Sequence, residues 1–175
     1  MELDEDTNLI ILKDDRMYHH NTTRFNYTTY DVCRTQDIIN PWTSHCNIMV
    51  LCTDNDMGPQ GHRFIYGKVL GVYHTNVILI GCAMVDYTPI QMEFLWIRWY
   101  KPVDQVSSWD TSTMDCVRFP PMADEHSFDF LDLADVLRGC HIIPSFTSKR
   151  RCPDGSGLSA CAGDKDDWCA YYVNQ

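Results

Sequence analysis

The amino-acid sequence predicts a mainly β fold, a small curled antiparallel sheet or barrel with one short helix near residues 132–139. Short runs of β-forming residues, separated by clusters of Gly, Pro, Asn and Asp, recur along the chain, and this pattern is typical of sheets built from many short strands. A single segment carries the capping residues of a helix. At 175 residues the chain is long enough to bury a sizeable core. We therefore expect one β-rich domain.

The predicted domain begins at residue 8. Residues 1–7 are polar and acidic, which predicts a disordered N-terminus and leaves residues 8–175 for the single domain. Residues 8–12 form a short apolar run and are expected to be the first strand.

The middle of the chain is predicted to supply the core strands. Residues 24–30 alternate large aromatic with polar residues, which predicts a half-buried strand, whereas residues 48–52 are apolar without alternation, which predicts a strand buried on both faces. Residues 64–73 carry glycines four residues apart, so we expect a bulged and strongly curved strand, with residues 75–80 as the returning strand. Residues 92–100 place large apolar groups on both faces and predict a central strand.

The last third of the chain is predicted to hold the helix and two closing strands. Asp132 is a suitable N-cap and Gly139 a suitable left-handed stop, so the helix is expected between them. Residues 140–144 and the aromatic segment 168–173 are expected to be strands.

The charge and hydropathy of the chain exclude several classes of partner. The formal net charge is -10, from 24 acidic and 14 basic residues, and an acidic protein repels phosphates. Direct nucleic-acid binding is therefore disfavoured, and residues 149–151, Lys-Arg-Arg, are the one candidate basic strip. No segment reaches the roughly 20 apolar residues of a membrane span, and the acidic N-terminus is unlike a secretory signal. We expect an intracellular protein, nuclear or cytoplasmic, without membrane contact.

Nine cysteines without a Cys-x-x-Cys pair indicate free thiols in a reducing compartment rather than a zinc knuckle. We expect no cofactor. One grouping leaves a metal-dependent site open as an alternative, and it consists of Cys140, His141, Cys152, Cys161 and Cys169.

No catalytic motif is recognisable in the sequence. The nucleophile elbow and the phosphate-binding loop are both missing. The sequence neighbours His45-Cys46 and Cys140-His141 are poor catalytic pairs, because consecutive side chains of a strand point to opposite faces. The sequence thus predicts a protein that is not an enzyme.

Five segments of the chain carry a family resemblance: residues 26–32, 40–41, 64–74, 92–100 and 130–144. Together they resemble the C-terminal region of large proteins that mushroom-forming fungi encode in transposon-related reading frames of the KDZ and Plavaka type. The resemblance covers nearly all of the chain. A more distant likeness is to a domain of unknown function near the C-terminus of plant CACTA-type transposases. This resemblance implies an accessory domain outside the catalytic core of a transposase, and it carries over no catalytic residue.

We therefore predict a non-catalytic interaction domain that presents an aromatic β surface to a protein or peptide. The candidate residues of this surface are Tyr66, Tyr73, Trp96, Arg98 and Trp99. For Arg98 a structural role is favoured, stacked on an aromatic ring or paired with a carboxylate such as Glu93. A nucleic-acid-contacting module of a transposition complex, the metal-dependent site and a transposon remnant without function are the alternatives.

Overall fold

A computed structural model describes residues 9–28, 34–52, 63–80, 88–103 and 114–174, so the predicted disordered N-terminus, residues 1–7, lies outside the described residues. Over these ranges the chain forms strands and two single 3-10 turns, Leu133–Asp135 and Asp164–Asp166. The strands are β1 (Leu9–His20), β2 (Thr23–Thr28), β3 (Arg34–Ile39), β4 (Asn47–Leu51), β5 (Phe64–Ile80), β6 (Ile90–Trp99), β7 (Lys101–Pro102), β8 (Cys116–Arg118), β9 (Phe128–Asp132), β10 (Val136–Gly139), β11 (His141–Pro144) and β12 (Tyr171–Asn174). The mainly β prediction is confirmed.

The strands form two sheets and a separate hairpin, and every pairing is antiparallel. The larger sheet has the order β10-β4-β5-β6-β9. Two strands share the other edge of β5: β4 pairs with its N-terminal part and β1 pairs with its C-terminal part. The smaller sheet has the order β11-β12-β8-β7, and β2 pairs with β3. In the part of the chain that the structure describes, the larger sheet stays open rather than closing into a barrel.

Two cores lie on the two faces of the larger sheet. The first core fills the space between this sheet and the β2–β3 hairpin, and the second core lies between the larger and the smaller sheet. In β4, Ile48 and Val50 belong to the first core whereas Met49 belongs to the second, as the period of two along a strand requires. The prediction that this strand is buried on both faces is confirmed.

β5 is one continuous strand of 17 residues, so the predicted return at residues 75–80 is wrong. The segment that would have turned, His74-Thr75-Asn76, lacks the Gly or Pro of a tight turn, and it pairs with β6 on one side and β1 on the other. The predicted bulge is confirmed, because the register with β6 shifts between Val69 and Gly71.

β1 also extends further than predicted, to His20, because an internal bulge keeps it in register with β5. Residues 13–16 stand opposite a single residue of β5, and Asp14 and Asp15 have φ values of 60° and 50°. Aspartate tolerates this left-handed conformation better than most side chains do. The strand resumes at Met17 and places its last residues on the sheet.

The helix predicted near residues 132–139 is wrong beyond its first turn. Asp132 does act as a cap, since its Oδ1 accepts a hydrogen bond of 2.8 Å from the backbone N–H of Ala134. The chain then becomes extended at Val136, with φ −78° and ψ 123°, and continues as β10. Val136 is buried in the first core and β10 pairs with β4, so tertiary contacts override the weak helix propensity of this short segment. Gly139 is not in the left-handed region.

Candidate functional site

Two of the five predicted surface residues lie inside the protein. Tyr66 is 4% exposed and Arg98 is 0% exposed, and both are on the side of the larger sheet that the smaller sheet covers. Neither side chain can therefore contribute to an exposed binding surface, and in this respect the sequence interpretation is corrected.

Arg98 has the structural environment that the sequence favours for it. Its Nη1 lies 2.7 Å from Oδ2 of Asp167, and its guanidinium carbon lies 3.8 Å from the centre of the Phe119 ring. Glu93 is not the partner, because residues five apart on one strand point to opposite faces. Burial raises the pKa of the Asp167 carboxyl, and the charge of Arg98 opposes this shift.

Asp164 fixes the loop that carries Asp167. Its carboxylate accepts backbone hydrogen bonds from Leu158, at 2.6 Å, and from Ser159, at 2.9 Å. Burial acts to raise the pKa of Asp164, but these hydrogen bonds outweigh it and lower the pKa overall. The loop that closes over Arg98 is thus held in place by an ionised carboxylate.

The other three predicted surface residues are half-buried and lie on different faces. Trp99 packs against the first core, so it supports the hairpin side of the larger sheet. Trp96 points to the opposite face, where its ring lies 6.3 Å from that of Phe128. Tyr73 shares that face with Trp96 but lies beyond the reach of the smaller sheet.

Tyr73 belongs to a row of aromatic rings that crosses four strands, which we call the aromatic stripe (Trp42, His19, Tyr73, Phe94 and Phe130). Neighbouring ring centres along it are 6.5, 5.1, 5.8 and 5.6 Å apart. His19 on β1, Tyr73 on β5 and Phe94 on β6 are direct cross-strand partners. Such spacings allow edge-to-face and offset contacts that stabilise each ring pair.

The aromatic stripe is exposed at both ends. Trp42, on the loop before β4, is 73% exposed, and Phe130, on β9, is 66% exposed. Tyr73 and Phe94 in the middle are half-buried. The loss of solvent-exposed apolar surface on binding would therefore be largest at these two ends.

A groove of about 400 Å³ adjoins the aromatic stripe at its Phe94–Phe130 end, and we call it the methionine groove. Met17 on β1 and Met92 on β6 stand on either side of Thr75 in the sheet and are 60% and 42% exposed. The groove is lined by Met17, Met92, Glu93, Phe94, Phe130, Leu131 and Asp132. Of its two acidic residues, Asp132 is the cross-strand partner of Phe94 and shares its face, whereas the side chain of Glu93 points to the opposite face.

The five residues of the alternative metal site are not brought together. Among the described residues, no group of three His, Cys, Asp or Glu side chains is arranged to hold a metal ion. Cys140 is half-buried between β10 and β11, and burial raises the pKa of its thiol to about 12, whereas Cys161 and Cys169 are exposed. Cys33 and Cys82 lie outside the described residues.

The basic strip at residues 149–151 is partly engaged by its own chain. The guanidinium carbon of Arg150 lies 5.6 Å from the centre of the Trp168 ring, and its Nη1 lies 4.0 Å from Oδ1 of Asp166. Arg151 donates a hydrogen bond to the carbonyl oxygen of Phe119. Two of the three cations therefore serve the packing of the C-terminal loop. Of the part of the chain that the structure describes, no helix is long and apolar enough to span a bilayer.

Four of the five residues of the aromatic stripe were not identified from the sequence. His19 and Trp42 lie in segments without a strand signal, and only the fold brings them together. Phe94 carried a usable signal, because positions 92, 94 and 96 share one face of a predicted central strand. Phe130 lies between Asp129 and Leu131 in a short run that was interpreted by its neighbouring helix caps rather than as a strand.

Comparisons with known proteins give no match for this chain. No protein-family model matches the sequence, and searches of curated proteins and of solved structures find no significant similarity. The resemblance to transposon-encoded proteins therefore stays a prediction that depends on the sequence segments alone, and the function has to be argued from the geometry of the aromatic stripe and the methionine groove.

Proposed function

We propose that this protein is a non-catalytic interaction module whose aromatic stripe and methionine groove bind a segment of a partner protein. The observation that carries the proposal is the continuous row of rings across four strands, with Trp42 and Phe130 more than half exposed at its ends. Contiguous exposed apolar side chains are typical of interaction surfaces. Aromatic rings supply large contact area while few rotatable bonds are immobilised.

The groove specifies the chemistry of the partner segment. Methionine side chains adapt to differently shaped apolar groups, so Met17 and Met92 favour a bulky apolar anchor without fixing its identity. Asp132, on the same face of the sheet as Phe94, favours lysine or arginine beside that anchor, and the net charge of -10 adds a long-range attraction for basic segments. The partner segment is therefore expected to carry a bulky apolar residue flanked by lysine or arginine.

From the sequence resemblance we place this interaction in a transposon-derived assembly inside the cell, nuclear or cytoplasmic. The partner would then be another protein of that assembly. An accessory role of this kind requires a binding surface and no reacting groups, which agrees with the lack of a catalytic motif in the sequence.

A peptide-display selection on the purified protein tests the proposal. We expect the selected peptides to combine one aromatic or large aliphatic residue with flanking Lys or Arg. In fluorescence anisotropy, Phe130→Ser is expected to weaken their binding at least tenfold. The matched control is Phe146→Ser, since Phe146 is similarly exposed at 76% but packs on Trp168 at a different place in the fold.

A charge-removing substitution separates the electrostatic contribution to binding from the apolar contribution. Asp132→Asn is expected to weaken binding severalfold at low salt and to reduce its salt dependence, because the carboxylate no longer attracts the basic flank, whereas an asparagine oxygen can still accept the hydrogen bond from Ala134. The proposal fails if no peptides are enriched, or if those selected bind the Phe130→Ser and Phe146→Ser variants equally well while both variants keep the wild-type circular dichroism spectrum.

A further inference from the structure

A second and larger cleft, of about 680 Å³, lies between the β2–β3 hairpin and the junction of β10 with β11. It shares no lining residue with the methionine groove. Its walls carry polar groups, including Tyr27, Asp37, Asn40, Arg138 and His141. The aromatic stripe does not extend into it, so the proposed protein interaction leaves this cleft unexplained.

Arg138 is a cation without an ionic partner in this cleft. Its Nε is buried and has no hydrogen-bond partner, and its guanidinium carbon lies 5.9 Å from the centre of the Tyr27 ring. No carboxylate of the described residues lies within 4.0 Å of its nitrogens. A buried guanidinium N–H without an acceptor is unfavourable, and an anionic ligand would supply that acceptor.

Asp37 lines the same cleft, where its carboxylate is engaged by two other lining residues. It accepts a hydrogen bond of 2.9 Å from the backbone N–H of Gly139 and one of 3.3 Å from the hydroxyl of Tyr27. The oxygens of Asp37 lie more than 4.0 Å from the nitrogens of Arg138, so the two side chains do not form an ion pair. The guanidinium thus remains available for a ligand, although a carboxylate is close by in the fold.

Two further donors line the same cleft as Arg138. The rings of His45 and His141 meet edge to face, with centres 5.5 Å apart, and both residues line the cleft. His45 is fixed by its loop, since the carbonyl of His45 accepts from the backbone N–H of Asn40 at 2.8 Å and its own N–H donates to Thr43 Oγ1. Imidazole and guanidinium N–H groups facing one cavity suit an oxyanion.

We propose that this cleft binds the carboxylate or phosphate group of a small molecule, with Arg138 as its principal contact and His45 and His141 as additional donors. The planar fork of Arg138 fits two oxygens of either group. The exposed side chain of Ile38 and the ring of Tyr27 offer apolar contact to the rest of the ligand.

Titration of the uniformly ¹⁵N-labelled protein with sodium phosphate and, separately, with sodium acetate at constant ionic strength tests the proposal. We expect saturable shifts of the Gly139 amide and of the Arg138 Nε–H resonance with at least one anion, and the anion that binds tighter identifies the ligand group. Arg138→Gln is expected to weaken that binding at least tenfold. Arg150→Gln, which changes an arginine outside the cleft, is the matched control and is expected to leave it unchanged.

The variants His45→Ala and His141→Ala keep the test decisive if Arg138→Gln does not fold. Both histidines are exposed, so their replacement is expected to weaken binding severalfold without loss of structure. The proposal is overturned if neither anion gives saturable shifts at these resonances. It is also overturned if the cleft variants bind as well as the wild type, or if Arg150→Gln weakens binding as much as they do.

Discussion

Removing the partner of the buried cation Arg98 is expected to destabilise the protein severely. Arg98 is 0% exposed, and none of its guanidinium nitrogens makes a hydrogen bond of good geometry, so the ion pair with Asp167 is its main compensation besides the ring of Phe119. Asp167→Ala leaves that charge unpaired, at a cost of about 3–5 kcal/mol. For a domain of this size, which is typically stable by about 5–15 kcal/mol, that is a large fraction of the total.

Thermal unfolding followed by circular dichroism measures this effect. A loss of about 3–5 kcal/mol corresponds to a decrease in Tm of roughly 6–20 °C for a chain of this length. Asp124→Ala is the matched control, because Asp124 pairs with Lys101 at 2.6 Å on the surface, where the lysine side chain is 48% exposed. Exposed pairs of this kind contribute little to stability, so the control is expected to change Tm by a few degrees at most.

A double variant distinguishes an unpaired charge from lost packing. In Arg98→Met with Asp167→Leu neither charge of this ion pair remains, so this variant is expected to be more stable than Asp167→Ala alone. The reasoning is refuted if Asp167→Ala and Asp124→Ala have equal Tm values, or if the double variant is the least stable of the three.

Three further predictions concern packing, pH and thiol reactivity. Gly67→Ala is expected to lower the free energy of unfolding, measured in urea, by about 1–3 kcal/mol, because its new Cβ would stand 2.5 Å from Cγ2 of the core residue Ile97. Gly71→Ala is expected to cost less, because its new Cβ meets only the movable end of the Tyr73 ring. Equal losses would contradict this. Asp164→Asn is expected to lose about 1–3 kcal/mol at pH 7. Because folding lowers the pKa of Asp164, its stabilisation is fully present above the ordinary value near 4 and is lost as the pH falls through the lowered value. The difference from wild type should therefore shrink as the pH falls below about 4, and a difference of constant size over that range would refute the reasoning. At pH 8, iodoacetamide is expected to label exposed Cys169 at least tenfold faster than Cys140, whose pKa is raised to about 12, and equal rates in peptide mass spectrometry would count against it.

Local patterns were sufficient to predict the strands that carry apolar groups on both faces. β4 is apolar from Ile48 to Leu51 and is buried on both faces, and β6 carries large groups on both faces and lies between β5 and β9. The glycines of β5 predicted its bulge, because a strand interior rarely contains glycine without a local irregularity.

Prediction failed where distant strands decide the conformation. Nothing in residues 132–139 reveals that β4 pairs with this segment, and a capped segment of eight residues fits a short helix as well as a turn followed by a strand. Similarly, a continuous β5 depends on β1, which arrives from the N-terminus and holds the second half of the strand in place. Local residues specify what a segment can form, and pairing partners select among these options.

The candidate site depends on how far the smaller sheet extends along one face of β6. Phe94, Trp96 and Arg98 are spaced two residues apart in β6, so their side chains point to the same face. Arg98 is nevertheless fully buried under the C-terminal loop, whereas Phe94 is only half-buried. The pattern therefore predicted a shared face but not the position along it where burial ends. That position also explains why the aromatic stripe is well suited to binding. β6 is anchored in the second core by Arg98 at one end and presents Phe94 at the other, so the ring is held by the sheet before any partner arrives, and less conformational entropy is lost on binding.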